Sequence, residues 1–97
     1  MRIVYDVEMT VPLGKRKGIM ICEEKAGELN GSIEILGSVT KFTGSFKENK
    51  IVISGAFKTK VRDILYEGKG TADGKFISIR LVSGKSVYEL TGRRRGQ

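Results

Sequence analysis

Enzymatic sites are most often built from histidine, cysteine or clustered carboxylates, and this chain of 97 residues is poor in all three. It has no histidine. That removes the commonest general base, the Ser–His and Cys–His nucleophile pairs, and the commonest transition-metal ligand. One cysteine without histidine cannot assemble a structural zinc site. Glu23, Glu24 and Glu28 are carboxylates close in sequence. A hard cation would need more oxygen ligands than their neighbourhood offers, so they read as a solvated charged turn. No glycine-rich loop runs into Lys-Ser or Lys-Thr at a strand-to-helix junction, so no phosphate loop is expected. The expectation is a protein without catalytic residues, metal or cofactor.

Cys22 closes the apolar run Ile19-Met20-Ile21-Cys22. A reactive thiol needs exposure and a cationic neighbour, and the sequence places neither there. Cys22 therefore reads as a small buried hydrophobe. A lone cysteine forms no internal disulfide, which agrees with a reducing compartment. The first ten residues, MRIVYDVEMT, alternate apolar with polar, unlike a signal peptide, and no apolar run approaches the ~18 residues of a membrane helix. The expected location is the cytoplasm.

Charge remains. Eighteen Lys and Arg against eleven Asp and Glu give a net +7 and a pI near 9.8. The densest runs are Lys15-Arg16-Lys17 and Arg93-Arg94-Arg95. Such a balance permits binding to nucleic acid, anionic lipid or acidic partners, and serves solubility equally well. Which role applies depends on the elements that carry the cations.

Those elements read as strands. In residues 3–10, Ile3, Tyr5, Val7 and Met9 fall on one face, and Asp6, Glu8 and Thr10 on the other. Strand-like runs follow at 15–24, 28–36, 38–47, 50–58, 61–70, 75–82 and 86–93. They are separated by turn signals such as Lys25-Ala26-Gly27, Glu48-Asn49 and Asp73-Gly74. No apolar i, i+3, i+4 pattern persists for three turns. The fold class is all-β with about eight strands in one domain, residues 1–97, of which 93–97 read as a flexible basic tail.

The sequence also repeats itself. SVTKFTG at 38–44 returns as SVYELTG at 86–92. Residues 7–44 can be laid over 55–92 with small gaps, Asn30-Gly31 answering Asp73-Gly74, Phe42 answering Leu90, and Gly44 answering Gly92. Each half is then a four-stranded meander. Eight sequential antiparallel strands lose their edges by closing into an up-and-down barrel. A five- or six-stranded OB-like or SH3-like barrel is the alternative at this length. The interior of the eight-stranded form would hold Tyr5, Phe42, Phe57, Tyr66 and Tyr88 with the aliphatic residues of the same faces.

The strings TVPLGKRKG, ELNGSIEILG and FTGSF resemble a group of short bacterial proteins with a lipocalin-like or streptavidin-like, calycin-type barrel. In those proteins a T-P-x-G turn is followed by G-x-L-x-G segments in each half. The resemblance spans most of the chain and implies that barrel. Its motifs are those of turns and strands and say little about chemistry. Val11 intervenes between Thr10 and Pro12, and Lys58-Thr59-Lys60-Val61 stands where the second turn would be. The avidin relatives hold biotin with tryptophans. This chain has none, so biotin is not carried over.

In an up-and-down barrel the odd-numbered connections share one rim. That rim would gather Lys15, Arg16, Lys17, Lys58, Lys60, Arg62 and Lys85 against Asp63 alone. A basic rim over an apolar interior would suit a small amphipathic anion, and this is the expected ligand class. The same interior could instead be fully packed, leaving a structural or protein-interaction module. Apolar residues on the outer faces, namely one alternate pair of Ile19-Met20-Ile21-Cys22 together with Val52, Ala56 and Leu65, suggest a homodimer. Nucleic acid is a less favoured partner, because the aromatic residues fall mainly at inward positions, with Phe76 the exception.

Overall fold

The computed structural model describes residues 2–12, 14–35, 37–58, 61 and 63–96. They form eight strands, β1 Arg2–Val11, β2 Gly14–Lys25, β3 Glu28–Ile35, β4 Ser38–Lys47, β5 Lys50–Lys58, β6 Asp63–Ala72, β7 Phe76–Ser83 and β8 Ser86–Arg94. Each pairs antiparallel with the next, and β8 returns to β1, so the sheet closes into a barrel in sequence order. The five- or six-stranded alternative is thereby excluded. The expected runs lie within two residues of the observed strands.

Alternation sets the two faces. Tyr5, Val7 and Met9 of β1 are buried, whereas Arg2, Asp6 and Thr10 are exposed. Their partners on β2 continue the division, with Met20 opposite Tyr5 and Ile19 opposite Asp6. The lumen is filled by side chains from every strand. Met20, Ile33, Ile53, Ile79, Leu81 and Leu90 are the large residues most completely removed from solvent. Among the proposed interior residues, Tyr5, Phe42 and Tyr66 are buried, while Phe57 and Tyr88 pack against the core from partly buried positions near one mouth.

The repeat is written into the registers. Arg2↔Glu23 between β1 and β2 recurs 48 residues on as Lys50↔Thr71 between β5 and β6. Ile19↔Glu34 recurs as Glu67↔Val82, and Glu28↔Ser45 as Phe76↔Arg93. All three ladders within a half are thus reproduced without gaps. This corrects one expected equivalence. Asn30-Gly31 does not answer the Asp73-Gly74 turn; it lies inside β3, laddered to both β2 and β4. A Cβ at Gly31 would run into the Ile21 carbonyl oxygen, so glycine is needed there for strand approach and not for a turn.

The two seams that join the halves differ. Phe42 pairs with Gly55 across β4 and β5. The same relationship shifted by 48 would set Leu90 against Val7, but Leu90 pairs with Met9. A slip of two residues keeps every side chain on its own face, so the barrel closes without disturbing the core. The β4–β5 ladder stops at Phe42↔Gly55. Beyond it the Thr40 hydroxyl, on the one buried polar residue among those described, donates to the Ala56 carbonyl.

β8 extends through Arg94, so Arg93 and Arg94 belong to the barrel wall and not to a tail. The Arg94 N–H donates to the Lys75 carbonyl at 2.7 Å, and the Arg95 N–H to the Val4 carbonyl at 2.8 Å. Among the described residues no helix is long and apolar enough to cross a membrane.

Candidate functional site

Among the described residues the lumen is filled by buried side chains from all eight strands. One void reaching into it, lined by Ile3, Tyr5, Cys22, Glu24, Leu29, Phe46, Ile51 and Ala72, has a volume of about 20 Å³. That is room for about one water molecule. Burial keeps the Cys22 thiol and the Tyr5 and Tyr66 phenols protonated. Desolvation pushes the Cys22 thiol up to about 12. It pushes the Tyr66 phenol to about 12 as well, with the Thr40 hydroxyl offsetting part of the rise. The Tyr66 hydroxyl nevertheless makes no well-formed hydrogen bond. Its ring packs against Phe57, with centroids 4.7 Å apart. Burial also raises the Tyr5 phenol, which donates to the Asp73 carbonyl at 3.0 Å.

Topology brings the proposed basic rim to one end, but its cations do not share a face. Lys15 and Lys17 lie on the outer wall of β2, opposite Thr10 and Glu8. Arg16, half-buried, shares the inward face with Met9 and donates from Nη1 to the Lys15 carbonyl at 3.2 Å. Lys58 ends β5 opposite Asp63, and Lys85 is exposed in the β7–β8 turn. Lys60 and Arg62 lie outside the described residues. Glu8 and Asp63 therefore both stand across from rim lysines, and the rim is less one-sided than linear counting suggests. Of the three glutamates considered as cation ligands, Glu24 accepts the Gly27 N–H at 3.0 Å and fastens the β2–β3 turn. Among the described residues no cluster of three or more His, Cys, Asp or Glu could hold a metal ion.

The opposite end of the barrel holds a more organised group. Phe76 begins β7 on the outer wall and is 52% exposed. Its cross-strand partner is Arg93, whose guanidinium carbon lies 5.5 Å from the ring centroid. Asp73 shapes the adjoining turn. Its Oδ1 accepts the N–H groups of Lys75 at 2.7 Å and Phe76 at 2.8 Å. These bonds, that of Phe76 first, hold its carboxyl below the usual range. Asp6, across from Arg93 on β1, is taken by Arg95, whose Nε donates to Oδ1 at 3.0 Å. That hydrogen bond lowers the Asp6 carboxyl and raises the Arg95 guanidinium. The result is an open cleft lined by Asp73, Gly74, Lys75, Phe76, Arg93 and Arg94. The sequence marks Phe76 by its parity, since Ile77, Ile79 and Leu81 are the inward residues of β7. Its meeting with Arg93 depends on the β7–β8 register, which the sequence alone does not specify.

A third feature is apolar. On the outer wall near the basic end, Ala56 pairs with Leu65, and Val82 pairs with Val87. Leu65 is 73% exposed, and Val82 and Val87 are exposed beside it. In Ile19-Met20-Ile21-Cys22, Met20 and Cys22 are the inward pair, and Ile19 and Ile21 are half-buried on the β1–β2 wall, where Ile21 pairs with Val4.

Comparison with known proteins finds no family model, no curated protein and no solved structure that matches this chain.

Proposed function

We propose that the chain is a non-enzymatic binding module, a lipocalin- or streptavidin-like barrel that takes an anionic partner on its outer surface and not a small amphipathic anion in its lumen. The observation that carries this reading is the filled interior. A void of about 20 Å³ is far below the ~300–1,000 Å³ of pockets that enclose small molecules. The net charge is +7, and Lys15, Lys17, Lys58, Lys75, Lys85 and Arg93 are exposed on the outer surface. The buried thiol and phenols stay protonated at neutral pH, which leaves no activated nucleophile or base among them.

The test pairs two probes. Heparin, a polyanion, should bind with an affinity that falls steeply as salt is added. A fluorescent fatty acid should not be taken up. Stoichiometric, salt-insensitive binding of the fatty acid, or no binding of heparin at low salt, would overturn the reading. Replacing Lys15, Arg16 and Lys17 together with Ser reports how much of the heparin affinity belongs to the basic rim.

A second reading is favoured by the apolar band of Ala56, Leu65, Val82 and Val87. In it a second copy of the chain covers this wall, and the module works as a homodimer. Native mass spectrometry at micromolar concentration decides it. A dimer that Leu65→Lys converts to monomer supports the reading, and a monomeric parent protein removes it.

A further inference from the structure

We propose that the cleft between the β6–β7 turn and the end of β8 is a recognition site for a nucleotide unit. A base stacks on the open side of Phe76, and the attached phosphate sits among Lys75, Arg93 and Arg94. This rests on the reading that anions bind the outer surface, and it adds where and through which chemistry.

The chain has seven aromatic residues. Among those described, Phe76 alone is exposed; the others fill the lumen or pack against it. A flat apolar ring in water, beside cations, is the unit from which single-strand binding surfaces are built, because every base has a face that can stack. Arg93 lies over the Phe76 ring. That contact orients the guanidinium and leaves its edge open to phosphate oxygens, which a planar fork of donors matches.

The local acids form no salt bridge with these cations, although Asp73, on the edge of the cleft, attracts Lys75 through space. Asp6 is engaged by Arg95. The Asp73 carboxylate accepts two backbone N–H groups. Lys75, Arg93 and Arg94 make no ion pair among the described residues. The backbone that carries them is tied down by the Arg94–Lys75 and Arg95–Val4 hydrogen bonds, so little ordering is left for binding to accomplish. Nothing lies within 4 Å of where a Gly74 side chain would begin, and the turn leaves that edge of the cleft bare.

Fluorescence anisotropy on the full chain tests the proposal with a labelled single-stranded oligothymidine and an abasic strand of the same length. The two carry equal phosphates, but only one carries bases. The oligothymidine should bind more tightly. Phe76→Leu should weaken it about tenfold while leaving the abasic strand unchanged. Lys75→Gln and Arg93→Gln should weaken both strands, and Lys75→Gln should flatten the salt slope by about 0.7. Competition by free thymidine monophosphate assigns the site to free nucleotides, and competition by oligomers alone assigns it to a strand. Either result supports the proposal. Equal affinity for the two strands, or an oligothymidine affinity unmoved by both Phe76→Leu and Arg93→Gln in variants of parental melting temperature, overturns it. In that case, loss of binding on replacing Lys15, Arg16 and Lys17 would leave the outer-surface reading standing with its site at the other rim. Failure of heparin and both strands to bind would remove both.

Discussion

Gly55 and Tyr66 face each other across β5 and β6, and a Cβ at Gly55 would lie 2.5 Å from the Tyr66 hydroxyl. Forty-eight residues earlier the same cross-strand pair is Val7 and Gly18. The repeat conserves one small and one large partner but exchanges the strands that carry them. Gly55→Ala should therefore destabilise the fold by about 1–3 kcal/mol through overpacking. Tyr66→Phe removes a hydroxyl that lacks a well-formed partner and should cost less than about 1 kcal/mol or stabilise. The double variant should be more stable than the sum of the two effects allows, because the phenol is the nearest obstacle; relief is partial, since the Lys41 carbonyl would also lie 2.7 Å away. Urea denaturation of the four proteins measures the coupling. Simple additivity would show that the clash is absorbed elsewhere.

The β2–β3 turn is strained at an identifiable residue. Ala26 has φ 54° and is followed by Gly27 at φ 83°. Two positive φ values are what a two-residue hairpin of type I′ requires, and Asn-Gly is its preferred pair. Ala26→Asn should stabilise the protein by up to about 1 kcal/mol. Thermal melts compare the two chains, and a lower melting temperature for the variant would contradict this account of the turn.

Cys22 should be silent in the folded protein. Its thiol is buried and pushed up to about 12, so almost no thiolate exists at pH 8. A chromogenic disulfide reagent should react slowly with native protein and at once in denaturant. Fast stoichiometric reaction of the native thiol would mean that the end of the barrel opens readily.

Acid should act through Asp6 and Asp73. Both carboxyls are held below the ordinary carboxylate range, Asp6 by the Arg95 hydrogen bond and Asp73 chiefly by the Phe76 N–H. A depressed native pKa means the unfolded chain binds the proton more tightly. Their contribution is thus complete above the unfolded pKa near 4 and is lost as pH falls through the folded values. With no histidine, no side chain with an ordinary pKa titrates between pH 5 and 7. The melting temperature should be level across that interval and fall below about pH 4. A decline between pH 7 and 5 would point to a group outside this account.

Much of the fold was legible because alternation dominates β1 and β7, where Tyr5, Val7 and Met9 and then Ile77, Ile79 and Leu81 take every second place, and turn signals bound the other runs. The halves were visible because Phe42 and Leu90, and Gly44 and Gly92, fill equivalent places. Asn30-Gly31 misled for a physical reason. Asn-Gly is a strong turn signal, but glycine also serves where two strands approach closely, and sequence cannot separate the two uses. The candidate site was half legible. Phe76 stood out by parity, whereas Arg93 and Arg94 read as a tail because a charged run gives no sign that a strand continues beneath it. The basic rim was located by topology, but the carboxylates opposite Lys17 and Lys58 depend on register.

The central claim is that this barrel binds with its wall and not its lumen. The most direct measurement is an amide chemical-shift map of isotope-labelled protein titrated with single-stranded oligothymidine. Shifts should concentrate at Lys75, Phe76, Arg93 and Arg94 and be absent at Met20, Leu81 and Leu90. Shifts centred on those lumen residues, or none at any residue at low salt, would contradict the account.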